Sequence, residues 1–306
     1  MQDVKRKATH RNPLENSTGA DKFFDVLVII ILTIALVVTI YPMIVVVSSS
    51  FSEPGLVQGG QIWLYPKGFN LKGYEAVFRN SMIVKGYMNS IFYTVVGTAI
   101  NVVMTVMAAY PLSRKDFTPR RVIMLIFSFT MFFSGGIIPS YILVSRLHLM
   151  NTRWALILPG ALSVYNMILT RTYFNSTLPD EMLEATQIDG CSDFMFILKF
   201  VLPLSKPILA VIALYYAVGH WNAYFNAFMY LSDSNLFPLQ LVLRSILILN
   251  QVDSSTVSME VLYEREALKN LLKYSLIVVA SVPVLMIYPF VQKFFIRGVM
   301  IGSIKG

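Results

Sequence analysis

One cysteine in 306 residues, Cys191, rules out an intrachain disulfide framework and a cysteine-built metal site. Charge is equally scarce. Asp, Glu, Lys and Arg make up 14% of the chain against about a quarter in soluble domains, while apolar residues reach 56%. That balance excludes an ordinary water-soluble enzyme. No G-x-x-x-x-G-K-[ST] stretch occurs, so the chain lacks the usual backbone cradle for ATP. The 25 basic and 17 acidic side chains leave a formal charge of +8. They do not argue for nucleic acid: the bases sit in short clusters between long apolar runs, as in a protein that faces anionic lipid.

What is abundant is hydrophobic sequence of membrane-crossing length. A helix needs roughly 20 mostly apolar residues to cross the hydrocarbon, because there the backbone must satisfy its own hydrogen bonds. Six segments qualify: Phe24–Val47, Met88–Leu112, Val122–Val144, Trp154–Tyr173, Ile208–Leu231 and Leu271–Phe294. The expectation is an all-α polytopic membrane protein with six transmembrane helices. Residues 1–22 would form a tail, 23–295 the membrane domain and 296–306 a second tail. The first run is too long for a signal-peptide core and reads as a retained anchor.

Basic residues favour the cytoplasmic side of short loops. With the N-terminus inside, fifteen Lys and Arg fall on inner segments, among them Lys22, Arg114, Lys115, Arg120, Arg121, Arg171, Lys199 and Lys206, and ten fall outside. Both termini are therefore expected in the cytoplasm. The loops 51–86 and 232–270 would then face outward, able to meet an extracytoplasmic partner or simply to cap the bundle.

The span centres hold almost no charge. His220 is the only titratable Asp, Glu, Lys, Arg or His well inside a span, and beside Trp221 and Asn222 it reads as a packing or sugar-contacting residue rather than a proton carrier. Ion-driven carriers need charged groups or broken helices near the midplane. An active transporter built this way needs a motor on another polypeptide.

Between spans four and five, residues 176–207 read STLPDEMLEATQIDGCSDFMFILKFVLPLSKP. Ser176 or Thr177 is expected to cap a first helix, with Pro179 in its first turn and Asp180 and Glu181 at the positive end of its dipole. Gly190 would stop that helix in a left-handed conformation. Ser192 or Asp193 would cap a second helix, ended by Pro203. Connections in bundles usually take about two to eight residues, so this one is larger than connectivity needs and reads as a docking element.

Glu184, Ala185 and Thr186, then Gly190, then Phe200, Leu202 and Pro203 resemble the E-A-A–x3–G–x9–I-x-L-P loop of permease subunits in ATP-binding-cassette (ABC) importers, with Thr186 and Phe200 as departures. Ile188, Asp189, Gly190 and the run Leu202–Pro207 are similar to the maltose-type carbohydrate branch. So are Asn89 and Ser90, Gly97 and Thr98, Ala108 to Tyr110, Ile138 and Pro139, Leu158 and Pro159, the Trp221–Asn222 pair and the closing Gly302–Gly306. The stretch from Ile137 to Thr177 looks like Gram-positive permeases for larger oligosaccharides, including pectin-derived fragments.

The resemblance implies a type I importer fold and alternating access. Glu184, Ala185, Thr186, Asp189, Gly190, Leu202 and Pro203 would couple to an ATPase, with Ser303 and Lys305 of the tail also touching it. The implied partners are a second, homologous permease in a heterodimer, a cytoplasmic ATPase dimer that binds ATP and Mg, and an extracytoplasmic, lipid-anchored sugar-binding protein. The implied setting is the bacterial cytoplasmic membrane, with no cofactor or metal in this chain. Sugars are held by aromatic faces and by amides or hydroxyls. Tyr215, Tyr216, His220, Trp221, Asn222, Tyr224 and Asn226 of span five, and Tyr165 and Asn166 of span four, supply such groups. Tyr215, Asn222 and Asn226 form one possible face, and Tyr216, His220 and Tyr224 another. An importer of a non-sugar solute, an ion-coupled carrier and a membrane-embedded enzyme are the competing readings. The last two lack their expected midplane charges or His, Asp and Glu clusters. Arg146 or Arg153 near the outer mouth would suit an acidic cargo.

Overall fold

The structure, a computed structural model, describes residues 19–249, 272–287, 289 and 292. Ser303 and Lys305 lie outside the described residues. Every regular element described is helical. The chain divides between Leu71 and Lys72 into two compact units.

In the first unit α1 (Gly19–Ser50) runs into a polar, folded-back loop containing α2 (Pro54–Gln58). Ser52 Oγ donates to Ser48 O (2.7 Å) and accepts Lys67 N–H (3.0 Å), Ser48 Oγ donates to Leu64 O (2.9 Å), and Phe51 stacks on Phe69. Hydrogen bonds thus tie residues 52–67 back onto the end of α1.

The second unit is organised around α4 (Ser81–Ser113), which follows α3 (Lys72–Arg79). Asn80 starts it, its Oδ1 accepting the N–H groups of Met82 and Ile83, a side-chain cap that begins the helix ahead of the expected Met88. Its 33 residues span about 50 Å, enough to cross a bilayer with a turn to spare at each side. Next come α5 (Arg120–Phe132), α6 (Ile137–Arg146), α7 (Trp154–Ile157), α8 (Val164–Thr177) and α9 (Asp180–Ile188). Then α10 (Asp193–Phe196) passes through a π-helical turn (Ile197–Val201) into α11 (Leu202–Leu204). The unit closes with α12 (Lys206–Asn222), α13 (Phe225–Tyr230), α14 (Leu239–Leu249) and α15 (Leu272–Ile287). α4 packs against α8, α12 and α14.

Among the described residues two helices are long and apolar enough to cross a membrane unaided, α1 and α4, and two bent pairs raise the number to four. The six uninterrupted spans expected from hydropathy are thus not what is seen. Span three turns by 114° between α5 and α6, where Ser134–Gly136 carry no helix and Gly136 adopts φ 84°. Span four is interrupted from Leu158 to Ser163, around Pro159 and Gly160. Span five ends at Asn222 instead of Leu231. Of span six, 272–287 is helical. The stretch after α13 holds α14, whose Leu239, Leu241, Val242 and Leu243 are buried. Its 11 described residues are apolar enough to pack against protein.

Candidate functional site

The connection between α8 and α12 is an elbow with two unlike faces. Leu183, Phe196 and Val201 point into a core shared with Val106 and Tyr110 of α4, Met167 and Phe174 of α8, and Ile208 and Ile212 of α12. Burying those three side chains is worth about 1.5–3 kcal/mol each, which outweighs any single ionic contact nearby and welds the elbow to the bundle. The outer face is bare. Ile188 is 87% exposed and Phe194 70%, and Glu184, Ala185, Asp189 and Gly190 are exposed beside them.

Local chemistry sets the bend. α9 ends in a Schellman-type closure: Cys191 N–H reaches Thr186 O (2.9 Å) and Gly190 N–H reaches Gln187 O (3.0 Å). Gly190 carries φ 77°, a conformation that side-chain-bearing residues avoid. Thr186 is buried and donates to Leu183 O (2.9 Å), so the departure from alanine costs no unpaired hydroxyl. Ser192 caps α10, accepting from Met195 N–H (3.4 Å).

Two expectations are corrected. Neither Ser176 nor Thr177 caps α9: Pro179 occupies that position, and Ser176 Oγ donates back to Tyr173 O. Pro203 does not end the second helix. The backbone first widens, Leu202 N–H bonding to Ile197 O five residues back, which accommodates a residue without an N–H. The 82° turn comes later, at Ser205, before α12. Leu202 is half-buried in the elbow's core and Pro203 exposed.

The base of α9 is clasped to the end of α4. Asp180 meets Arg114 at 3.0 Å and Lys115 at 2.9 Å. The hydrogen bond from Lys115, followed by the field of Arg114, holds the Asp180 carboxyl below the usual carboxylate range, while Asp180 raises the Lys115 ammonium. The depressed carboxyl lends stability that is complete above the ordinary carboxylate range and lost as pH falls through its lowered value. The raised ammonium lends stability below the ordinary lysine range that fades as pH climbs through its raised value. The clasp therefore stays closed across neutral pH. Asp180→Asn is expected to lower the melting temperature only slightly, as suits a solvent-reached pair, and to flatten the decline of stability in acid, which a pH series of thermal melts measures. Sequence reading missed this contact because its partners lie far apart along the chain. The visible signal was the basic pair closing span two and an acidic helix start.

The second constellation lies where α4, α8 and α12 meet. The interruption before α8 exposes a carbonyl at Gly160 and an N–H at Ser163, and two neighbouring helices satisfy them. Asn101 Nδ2 donates to Gly160 O (2.7 Å), and Tyr216 Oη accepts from Ser163 N–H (3.1 Å). Thr105 gives its proton to Asn101 O (2.7 Å), so Tyr216 donates its own to Thr105 Oγ1 (2.7 Å). With the Asn101 amide turned toward Gly160, its Oδ1 faces His220 Nε2 at 3.1 Å, which places the imidazole proton on Nε2. Gly97 makes room: a methyl there would fall on the His220 ring.

The structure separates the residues proposed for a path. Tyr216 and His220 belong to this buried network. Trp221 is buried too, its indole donating to Ala280 O of α15 (3.0 Å) and meeting Tyr87 edge-on. Tyr215 and Asn222, with Gly219 between them, form an exposed stripe on α12. Because the helix stops at Asn222, Tyr224 and Asn226 do not continue either expected face, although both are exposed, as is Tyr165. Asn166 is buried at the start of α8, where its N–H bonds to Ser163 Oγ (3.4 Å).

Comparison with known proteins bears on this arrangement. No family model matches the chain. LplC of Bacillus subtilis (strain 168) is 39% identical over 291 residues, spanning 95% of this chain and 98% of LplC. The polygalacturonan/rhamnogalacturonan transport system permease protein YtcP of the same organism is 38% identical over 286 residues, 94% of this chain and 99% of its own. A chain from the crystal structure of a bacterial ABC transporter involved in the import of the acidic polysaccharide alginate superposes with a TM-score of 0.82 at 31% identity, covering 91% of this chain and 99% of that one. The chain belongs to the carbohydrate permeases of ABC importers. It is a transporter subunit of a membrane, and its resemblance to the Gram-positive branch holds. The interruption of span four and the bend of span three are features of this permease's helices rather than grounds for removing it from the polytopic class.

Proposed function

We propose that this permease forms one half of the translocation path of an ATP-driven oligosaccharide importer and receives the motion of an ATPase through the elbow. The observation that carries the reading is the elbow's two-sidedness, an inner face locked into the α4–α8–α12 core and an outer face that leaves Ile188 and Phe194 bare beside Glu184. A helix exposed in that way suits a groove on a soluble partner, and its core contacts suit delivery of force to the helices around the interrupted span. In this reading the chain crosses the bacterial cytoplasmic membrane six times, spans three to five being broken, with both termini cytoplasmic. A second, homologous permease, an ATPase dimer that binds ATP and Mg, and an extracytoplasmic, lipid-anchored binding protein complete the machine, and Ser303 and Lys305 add a further ATPase contact.

The exposed stripe of α12 would face the cargo, Tyr215 offering a ring, Gly219 leaving space and Asn222 an amide, with Tyr165, Tyr224 and Asn226 nearby in role. Tyr216, His220, Trp221 and Asn166 would hold the stripe in place. Asn222→Ala is expected to lower uptake about tenfold while the ATPase stays bound, since an unpaired sugar hydroxyl in a dry site costs on the order of 1–2 kcal/mol. Unchanged uptake over a range of sugar concentrations would remove α12 from the path.

The cargo class favoured is an acidic oligosaccharide. Arg153 lies over the Phe92 ring (4.6 Å) and Arg244 over Phe228 (4.0 Å), and neither has a carboxylate partner among the described residues. A guanidinium beside an aromatic face suits a uronate sugar, and the names of YtcP and the alginate transporter point the same way. Uptake of galacturonate oligomers by the reconstituted complex, with neutral galactose oligomers as competitor, is the test. Equal uptake of both would withdraw the acidic preference.

A further inference from the structure

Beside the clasp at the base of α9 lies a cavity of about 410 Å³ lined by Lys115, Arg120, Arg121, Arg171, Asn175 and the α9 start at Pro179–Glu181, with Ser113 and Leu178 behind. Arg120, Arg121 and Arg171 form no ion pair among the described residues. Two of them are aimed by backbone carbonyls instead, Arg120 Nη1 donating to Arg114 O (2.8 Å) and Arg171 Nε to Leu112 O (2.8 Å). Of the two carboxylates present, Asp180 is engaged by Arg114 and Lys115, leaving Glu181 against three guanidinium groups. No side chain caps α9, whose first residues form one wall of the cavity. Arg114, whose side chain is only 10% exposed, is itself answered by Asp180 at 3.0 Å and, through Nε, by Asp116 at 3.8 Å, so it takes no share of the cavity's anion demand. Among the described residues, positive charge here exceeds what carboxylates neutralise.

α5 says what kind of anion fits. Arg120 and Arg121 are its first residues, and directly above them Val122, Leu125, Ile126 and Phe129 are 64%, 70%, 55% and 58% exposed. A basic cavity at the foot of an uncovered apolar helix face offers a place to a phosphate and to the acyl chains attached to it. We propose that this cavity binds the phosphate headgroup of an anionic phospholipid, whose chains lie along α5, and that the lipid braces the junction from which the elbow springs. This goes beyond the importer reading but takes from it the cytoplasmic placement of the loop.

The test uses the full chain in detergent, with bound lipid counted by native mass spectrometry as phosphatidylglycerol or phosphatidylcholine is titrated. Phosphatidylglycerol is expected to bind with at least roughly tenfold preference, and Arg120→Gln/Arg121→Gln to weaken it about thirtyfold while leaving phosphatidylcholine unchanged. Arg244→Gln, away from the cavity, should leave the preference intact and controls for general loss of charge. Equal binding of the two lipids, or a preference that survives the double substitution, would overturn the proposal. So would displacement of the lipid by millimolar inorganic phosphate, which would make the site one for a soluble phosphate. Because the readout is lipid binding, its failure leaves the uptake tests of the importer reading untouched.

Discussion

Replacing Gly190 by proline is expected to abolish uptake while the permease still inserts and folds. Proline fixes φ near −65°, whereas the elbow needs φ 77° there, and it removes the N–H that bonds to Gln187 O at 3.0 Å. The Schellman-type closure would open and α10 would leave α9 in another direction, carrying Phe194 away from Ile188. Since Leu183, Phe196 and Val201 keep about 5–9 kcal/mol of buried contact between them, the bundle itself should survive. Uptake should drop to background, roughly a hundredfold or more, with ATP hydrolysis no longer stimulated by cargo. Gly190→Ala, strained by about 1 kcal/mol, should give an intermediate phenotype. Wild-type uptake by the proline variant would show that the elbow geometry transmits nothing.

The second large effect is expected at Gly97. Gly97→Ala would drive its methyl into the His220 imidazole, so the ring must leave Asn101 Oδ1 or α4 and α12 must part. Either way a half-buried hydrogen bond is lost or packing is strained, at about 1–3 kcal/mol, and the larger Gly97→Leu should prevent assembly. The measurement is the melting temperature of the purified complex together with uptake. Adding His220→Ala to Gly97→Ala should recover part of the loss, because the colliding ring is gone and Asn101 keeps its bond to Gly160. If the pair of changes is simply additive, the close approach at this site has been misread.

The sequence carried the class of fold further than the course of its helices. Hydropathy found apolar segments because burial in lipid selects composition. It could not find breaks, since Pro159–Gly160 and Ser134–Gly136 interrupt helices only where a neighbour satisfies the freed backbone, and Asn101 and Tyr216 do that for the first of them from other parts of the chain. α14 was hidden for the complementary reason: it buries its leucines against protein without needing bilayer length. Gly190 was legible because a lone glycine at the end of an amphipathic run has few other uses, and the structure gives it the left-handed angle expected. The elbow's bare outer face was partly legible in the polar run from Glu181 to Asp189, whereas the exposure of Ile188 and Phe194 shows only in the folded chain. Trp221 and Asn222, read as neighbours with one task, point to different surroundings because consecutive positions on a helix face about 100° apart.

The stitched gap before α8 also bears on how the polypeptide is made. Residues 154–177 include Pro159, Asn166, Arg171 and Asn175, and the groups that satisfy their broken backbone arrive in part from α12, which the ribosome has yet to synthesise when this stretch emerges. The segment should therefore wait at the translocon, or in the headgroup region, until Tyr216 appears behind it, so that spans four and five enter the bilayer as a pair. Chains truncated ahead of α12 should accordingly fail to integrate span four, which a glycosylation-site or protease-protection assay would reveal.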